Sequence, residues 1–133
     1  MSIDVLLSIK PVFAKAIFSG KKIYEFRKSV FKDMTIRKVY VYASAPISMV
    51  IGVFYIEEII KHHPGLLWAE TSQGAGITEA YFNEYFADRE VGYALKVQNA
   101  QLFDEPKCLD RMFGIQYPPQ SFRYVSSLTE EFV

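Results

Sequence analysis

Apolar positions near the start of the chain first follow a strand pattern and then the spacing of a helix. The run from Val5 to Ile9 ends just before Pro11, which suits the first turn of a helix because its missing N–H has no intrahelical partner there. Apolar residues four apart then predict an amphipathic helix to about Ser19. Gly20 follows, and glycine readily adopts the left-handed conformation that ends many helices.

The segment after this predicted helix end changes to the two-residue period of a strand. Tyr24 and Phe26 occupy one side and are expected to face the core. Glu25 and Arg27 occupy the other side and are expected to share a face near the mouth of the structure that the strand lines. Lys22 falls on the aromatic side by strict alternation, so it can join the charged pair only if it belongs to the preceding turn.

Further strands and helices are predicted along the rest of the chain. Thr78 is suited to cap a helix that runs to Tyr85 or Phe86, and the segment 64–76 suggests a short helix with a mobile loop. Several strands with helices near the start and middle favour an α+β barrel over alternating βαβ units. The remaining predictions are strands at 39–43, 50–56, 92–97 and 122–125, a turn at 103–106 and one helical turn at 108–112.

Composition favours one folded domain over residues 1–133. Half of the residues are hydrophobic, 16% are aromatic and 23% are charged, which is unlike a disordered chain. The single cysteine, Cys108, excludes an internal disulfide, and no signal-peptide pattern precedes the domain, so a cytoplasmic location is expected. No apolar run reaches the roughly 20 residues that a membrane span needs.

The formal net charge of zero conceals an asymmetry along the chain. Residues 1–38 carry nine basic and three acidic side chains, a net charge of +6, which leaves −6 for the remainder. If the basic third gathers on one face it can attract a phosphate backbone; otherwise these are ordinary surface residues spread around the fold. The acidic pairs Asp104-Glu105 and Glu130-Glu131 are expected to be solvated.

The segment after the first predicted helix contains the pattern G-x-K-x-x-E-x-R, formed by Gly20, Lys22, Glu25 and Arg27. This pattern resembles the signature of the ASCH domain family. The resemblance extends over about residues 4–125 in the order of elements. It implies a PUA-like β-barrel with flanking and inserted helices, and a role in binding RNA, a nucleotide or a modified nucleoside. The ligand-binding residues expected on this basis are Gly20, Lys21, Lys22, Glu25, Arg27 and the candidate stacking residue Tyr42.

An enzymatic role is the first alternative. A bacterial branch of the family resembles this chain and hydrolyses N4-acetylcytidine with a lysine and a threonine of the motif and a glutamate on the inserted helix. Lys22 matches the lysine, Glu79 matches the glutamate by local pattern, and Glu25 stands where that branch has threonine. The expected catalytic residues of such a hydrolase are therefore Lys22, Glu25 and Glu79, although Glu25 would tend to keep the lysine protonated.

Other interpretations of the same residues stay open. The hydrolase could be a ribonuclease, the motif could be an exposed ion-pair cluster, and the basic face could meet a protein partner in a regulatory domain. Glu79 could also be an acid favoured by the helix dipole. His62 and His63 are adjacent rather than one helical turn apart, and neither a metal nor an organic cofactor is predicted.

Overall fold

A computed structural model of the protein describes residues 2–127, and Glu130-Glu131 lies outside these residues. The order of elements begins with strand β1, helix α1 and strand β2 and ends with helix α4 and strand β6. The strands are β1 (Ile3–Ile9), β2 (Tyr24–Arg27), β3 (Lys38–Ala43), β4 (Met49–His62), β5 (Gly92–Lys107) and β6 (Phe122–Ser126). The helices are α1 (Pro11–Phe18), α2 (Pro64–Thr71), α3 (Glu79–Tyr85) and α4 (Leu109–Phe113), with a short 3₁₀ turn at Ser72–Gly74.

The six strands form one sheet in the order β2-β5-β4-β3-β1-β6. The pair β1 and β3 is parallel, with Val5 opposite Val39, whereas the other four pairs are antiparallel. Four helices accompany this sheet, which confirms the mixed α+β class. In the described residues the sheet is open, with β2 and β6 at its edges, so the predicted barrel is not confirmed.

Three apolar clusters hold the helices on the sheet. Ala14 and Ile17 of α1, three residues apart on one face of the helix, are buried in the largest cluster, and Phe13 and Phe18 pack against it. A second cluster packs α4 on the opposite face of the strands, and a third joins α2 and α3 to β2 and β5 around Phe82. The helix α3 is therefore fixed beside the strand that carries the charged motif residues.

Strands β4 and β5 are longer than the apolar runs predict, and the turn expected at 103–106 is wrong. These residues lie within β5, opposite an irregularity of β4 in which the partners of Val50 and Gly52 are Lys107 and Leu102. Pro106 is tolerated there because a bulge does not need its missing N–H. The turn-like composition thus marks a β-bulge rather than the end of the strand.

Candidate functional site

A cleft with a volume of about 610 Å³ lies where α1, β2 and α3 meet the segment before β6. This size lies within the range of roughly 300–1,000 Å³ that is usual for small-molecule sites. The charged side chains along its wall are Lys10, Lys22, Glu25, Arg27, Lys28 and Arg89. The aromatic ones are Phe13, Phe26, Tyr81 and Tyr85, and hydroxyl groups come from Ser8, Ser29, Ser44 and Ser121.

Lys22 reaches the cleft because it belongs to the turn after α1. Gly20 has a φ of +83°, and the backbone N–H groups of Lys21 and Lys22 both donate to the carbonyl oxygen of Ala16. Strand β2 begins only at Tyr24, so the alternation of the strand does not apply to the lysine. Lys22 therefore belongs to the turn before the strand, as it must if it is to join Glu25 and Arg27.

The Lys22 ammonium group is buried between two aromatic rings. Lys22 is only 2% exposed. Its Nζ lies 4.7 Å from the ring centre of Phe26 and 5.4 Å from that of Phe13. It donates a hydrogen bond of 2.7 Å to the carbonyl oxygen of Ala75. Burial lowers the pKa of Lys22 from 10.5 to about 8, and the negative charge of Glu25 opposes this change.

The backbone around Gly76 makes room for this lysine. Gly76 has a φ of +67°, and a Cβ atom built on it would lie 2.6 Å from the Cβ of Lys22. A side chain at this position would therefore be strained by its own backbone and would collide with the base of the lysine. The loop between α2 and α3 thus holds Lys22 through both a carbonyl acceptor and the close approach of a glycine.

Glu25 and Arg27 form a largely buried ion pair on the same face of β2, as the alternation predicts. Arg27 Nη1 lies 2.9 Å from Glu25 Oε2 and donates a second bond to the carbonyl oxygen of Ser8. Its Nη2 donates to both the carbonyl oxygen and the Oγ of Ser121, each at 3.0 Å. Four of the five guanidinium N–H groups are thus bound within the protein.

Arg27 consequently joins the two open edges of the sheet. It lies on the edge strand β2, whereas Ser8 lies on β1 and Ser121 directly precedes the other edge strand, β6. The guanidinium is therefore occupied in holding these segments and Glu25 in place. Glu25 accepts the bond from Arg27 through Oε2.

Helix α3 supplies a tyrosine wall to the cleft. Tyr81 and Tyr85 are four residues apart and therefore lie on one face of the helix. The Tyr81 ring meets Phe13 edge-to-face at 5.3 Å, and its hydroxyl group lies 3.5 Å from Lys10 Nζ. The Tyr85 hydroxyl donates to the carbonyl oxygen of Phe26 at 3.4 Å, and burial raises its pKa.

Residues 7–101 match the sequence profile of the ASCH domain, which covers more than half of the chain. The chain belongs to the ASCH domain family. It is 32% identical over 125 residues to an ASCH domain-containing ribonuclease of Zymomonas mobilis, with 92% of this chain and 84% of that protein covered. It is also 24% identical over 122 residues to the large ribosomal subunit protein uL22 of Ureaplasma parvum, covering 91% of this chain and 39% of that protein.

Solved structures support the same assignment. The crystal structure of ASCH from Zymomonas mobilis superimposes on this ASCH protein with a TM-score of 0.82 at 30% identity, covering 97% of this chain and 90% of that chain. The arrangement of the sheet and helices in residues 2–127 thus matches that of a solved ASCH structure. No helix within residues 2–127 is long and apolar enough to cross a membrane.

The cleft of this ASCH protein brings together three of the residues predicted for its site. Lys22, Glu25 and Arg27 all line it, and each is largely buried. Of the nine basic residues in the first 38 positions, four contribute to the cleft, so part of the predicted basic face does gather. In the described part of the chain, no group of three or more His, Cys, Asp or Glu residues could hold a metal ion.

Four other predicted site residues lie outside the cleft. Tyr42 is 6% exposed in the apolar cluster under α4, because alternation along β3 turns it to that face of the sheet. Glu79 is exposed two residues before Tyr81, which places it about 200° around α3 from the tyrosine wall. Gly20 and Lys21 are exposed in the turn and form no part of the cleft wall.

Several cleft residues were not predicted from the sequence. Ser121 and Lys10 come from segments distant from the motif, and no local pattern marks them. Tyr81 and Tyr85 did leave a signal, because α3 has aromatic residues on two faces, of which Phe82 and Phe86 are the buried ones.

Proposed function

We propose that this protein binds single-stranded RNA and accepts one nucleotide in the cleft. The observation that carries the proposal is the convergence of five basic side chains and four aromatic rings on one cavity, whose wall within residues 2–127 contains a single acidic residue. Basic groups attract phosphates, and aromatic rings accept unpaired bases, which is how RNA is commonly recognised. The overall charge of zero is consistent with a local site rather than with a protein that coats nucleic acid.

The rim and the interior of the cleft suit different parts of a nucleotide. Lys10, Lys28 and Arg89 are solvent-accessible and can meet phosphate oxygens. Lys22 and Glu25 lie deeper in the cleft. They are near enough for the carboxylate charge to raise the pKa of the lysine, so they offer a hydrogen-bond donor and an acceptor side by side. Arg27 acts mainly by holding Glu25, because its guanidinium is already hydrogen-bonded.

Fluorescence anisotropy with a labelled single-stranded RNA tests this proposal. We expect affinity to fall as salt rises, and Lys28→Met to reduce the slope of log K against log salt by about 0.7 for one lost phosphate contact. Lys32→Met is the matched control, because Lys32 is exposed nearby but lies outside the cleft wall. Equal effects of the two variants, or no RNA binding by the wild type, would contradict the proposal.

A second candidate function is cleavage of the bound RNA. It is favoured by the buried Lys22, which is mostly protonated at neutral pH yet has a pKa low enough to release a proton. The description of the Zymomonas mobilis relative as a ribonuclease points the same way. In such a reaction the 2′-oxygen bonds to phosphorus, the bond from phosphorus to the 5′-oxygen breaks, and Lys22 protonates the leaving oxygen while Glu25 accepts the 2′-hydroxyl proton.

Gel analysis of single-stranded RNA incubated with a molar excess of protein tests this reaction. The wild type and Lys21→Met should yield fragments with a 2′,3′-cyclic phosphate, and Lys22→Met should yield none. Because all three proteins are purified in the same way, cleavage that persists in Lys22→Met indicates a contaminating nuclease or a different mechanism. Intact RNA in every reaction would remove the ribonuclease candidate and leave RNA binding to its own test.

A further inference from the structure

Tyr81 and Tyr85 belong to a part of the cleft that the family motif does not include. Both residues are on α3, which the side chain of Thr78 caps by accepting a hydrogen bond from the backbone N–H of Tyr81. The adjoining Phe82 and Phe86 are 0% and 3% exposed and fix the helix in the core. The two tyrosines therefore project from a rigid support.

Both tyrosine side chains are held by contacts within the protein, and both line the cleft. Tyr81 is 36% exposed although its ring packs on Phe13 and its hydroxyl group lies near Lys10. Tyr85 is half-buried, and its hydroxyl group is bound to the backbone of β2. Rings held in this way lose little conformational entropy when a ligand stacks on them.

A lysine also contacts each tyrosine. Lys10 Nζ lies 3.5 Å from the Tyr81 hydroxyl oxygen, and Lys28 Nζ lies over the Tyr85 ring, 4.9 Å from its centre, where a stacking base would displace it towards a phosphate. Both lysines line the cleft, one at the start of α1 and the other just after β2. When a base contacts the tyrosines, the two lysines are therefore near enough to bind the phosphates on either side of that base.

We propose that Tyr81 and Tyr85 form the stacking surface for one unpaired RNA base, with Lys10 and Lys28 contacting the phosphates that flank it. This inference rests on the proposed RNA-binding function. It adds the class of ligand, which is a nucleotide whose unpaired base can separate from the neighbouring bases of its strand. Sequence-tolerant stacking contributes about 1–3 kcal/mol per base, so loss of one ring should weaken binding roughly 5- to 150-fold. A base that is paired in a duplex must first be released and should bind more weakly.

A single-stranded RNA that contains one 2-aminopurine is the probe for this contact, because stacking on an aromatic ring quenches its fluorescence. We expect wild-type protein to quench the probe, and Tyr81→Leu and Tyr85→Leu to lose both quenching and affinity. Tyr81→Phe and Tyr85→Phe keep the rings and should stay within about threefold of the wild type. The same RNA annealed to its complement should show little quenching.

Tyr93→Leu is the matched control, because Tyr93 is a half-buried tyrosine with the ammonium group of Lys61 6.0 Å from its ring centre but lies outside the cleft wall. Thermal unfolding of every variant checks that the fold is retained. Undiminished quenching and affinity in the Tyr81→Leu Tyr85→Leu double variant would overturn the stacking surface while RNA binding itself stands. Absence of binding by the wild type would instead overturn the underlying function.

Discussion

The burial of Lys22 should make the stability of the protein depend on pH in a defined direction. Replacing it with methionine keeps an unbranched side chain of similar length and removes the titrating amine. In the wild type, the lysine has a pKa of about 8 when folded and an ordinary value of 10.5 when unfolded. Between these values the unfolded chain binds a proton that the folded protein does not, so stability increases as pH rises.

The magnitude follows from the two pKa values. At about 1.4 kcal/mol per pKa unit, a lowering from 10.5 to about 8 corresponds to about 3 kcal/mol. We expect the free energy of unfolding of the wild type to gain this amount relative to Lys22→Met as pH rises from 7 to 10.5. Below about pH 7 the lysine is protonated in both states, so the difference between the two proteins should be constant there.

Urea denaturation followed by tryptophan fluorescence measures this difference. Trp68 is the single tryptophan and packs 4.9 Å from the Phe82 ring, so its emission reports loss of the core. Taking the difference between wild type and variant at each pH removes the contribution of the other titrating groups. Lys21→Met is the control, because it removes the exposed neighbouring lysine and leaves the buried Lys22 in place.

Two results would refute the reasoning. A constant difference between wild type and Lys22→Met over this pH range would mean that the folded protein does not lower the pKa of the lysine. A difference that falls as pH rises would mean that the attraction of Glu25 exceeds the effect of burial. In either case the lysine would not be suited to proton transfer near neutral pH.

Three further changes test how the cleft is held together. Arg27→Ala should lower the free energy of unfolding by about 3–5 kcal/mol in urea denaturation, since it leaves a buried carboxylate without its partner; a loss below 1 kcal/mol would contradict the internal role of the guanidinium. Gly76→Ala should cost about 2–5 kcal/mol because backbone strain adds to a collision with Lys22, whereas Gly114→Ala, with a similar φ and open space, should cost only about 1–2 kcal/mol. Thr78→Ala should cost about 1 kcal/mol in the same assay and weaken RNA binding through the tyrosines of α3, and Thr78→Ser should restore both.

Local features of the fold were predictable wherever the backbone of neighbouring residues decides the outcome. Pro11 begins α1, Gly20 follows its end with a positive φ, and Thr78 caps α3, as their side chains and conformational preferences require. The alternation in β2 predicted that Glu25 and Arg27 share a face, which their ion pair confirms. Each of these outcomes depends on residues only a few positions apart.

The extent of the strands and the closure of the sheet were less predictable. Apolar alternation is interrupted in β4 and β5 because irregular register lets exposed charged residues lie within the strands. The sequence pattern therefore underestimated β4 and assigned a turn within β5. Whether the sheet closes depends on contacts between β2 and β6, which are distant in the chain; Arg27 of β2 binds Ser121, the residue before β6.

The sequence by itself determined the mixed α+β class and the family, because the periods of the apolar positions and the spacing of a few residues record them. Only the tertiary structure decided which residues form the site. Lys22 finds its acceptor 53 positions away in Ala75, and Arg27 finds Ser121 94 positions away. The rotation of α3 directs Tyr81 rather than Glu79 into the cleft, since a helix turns about 100° per residue and its orientation is set by core packing.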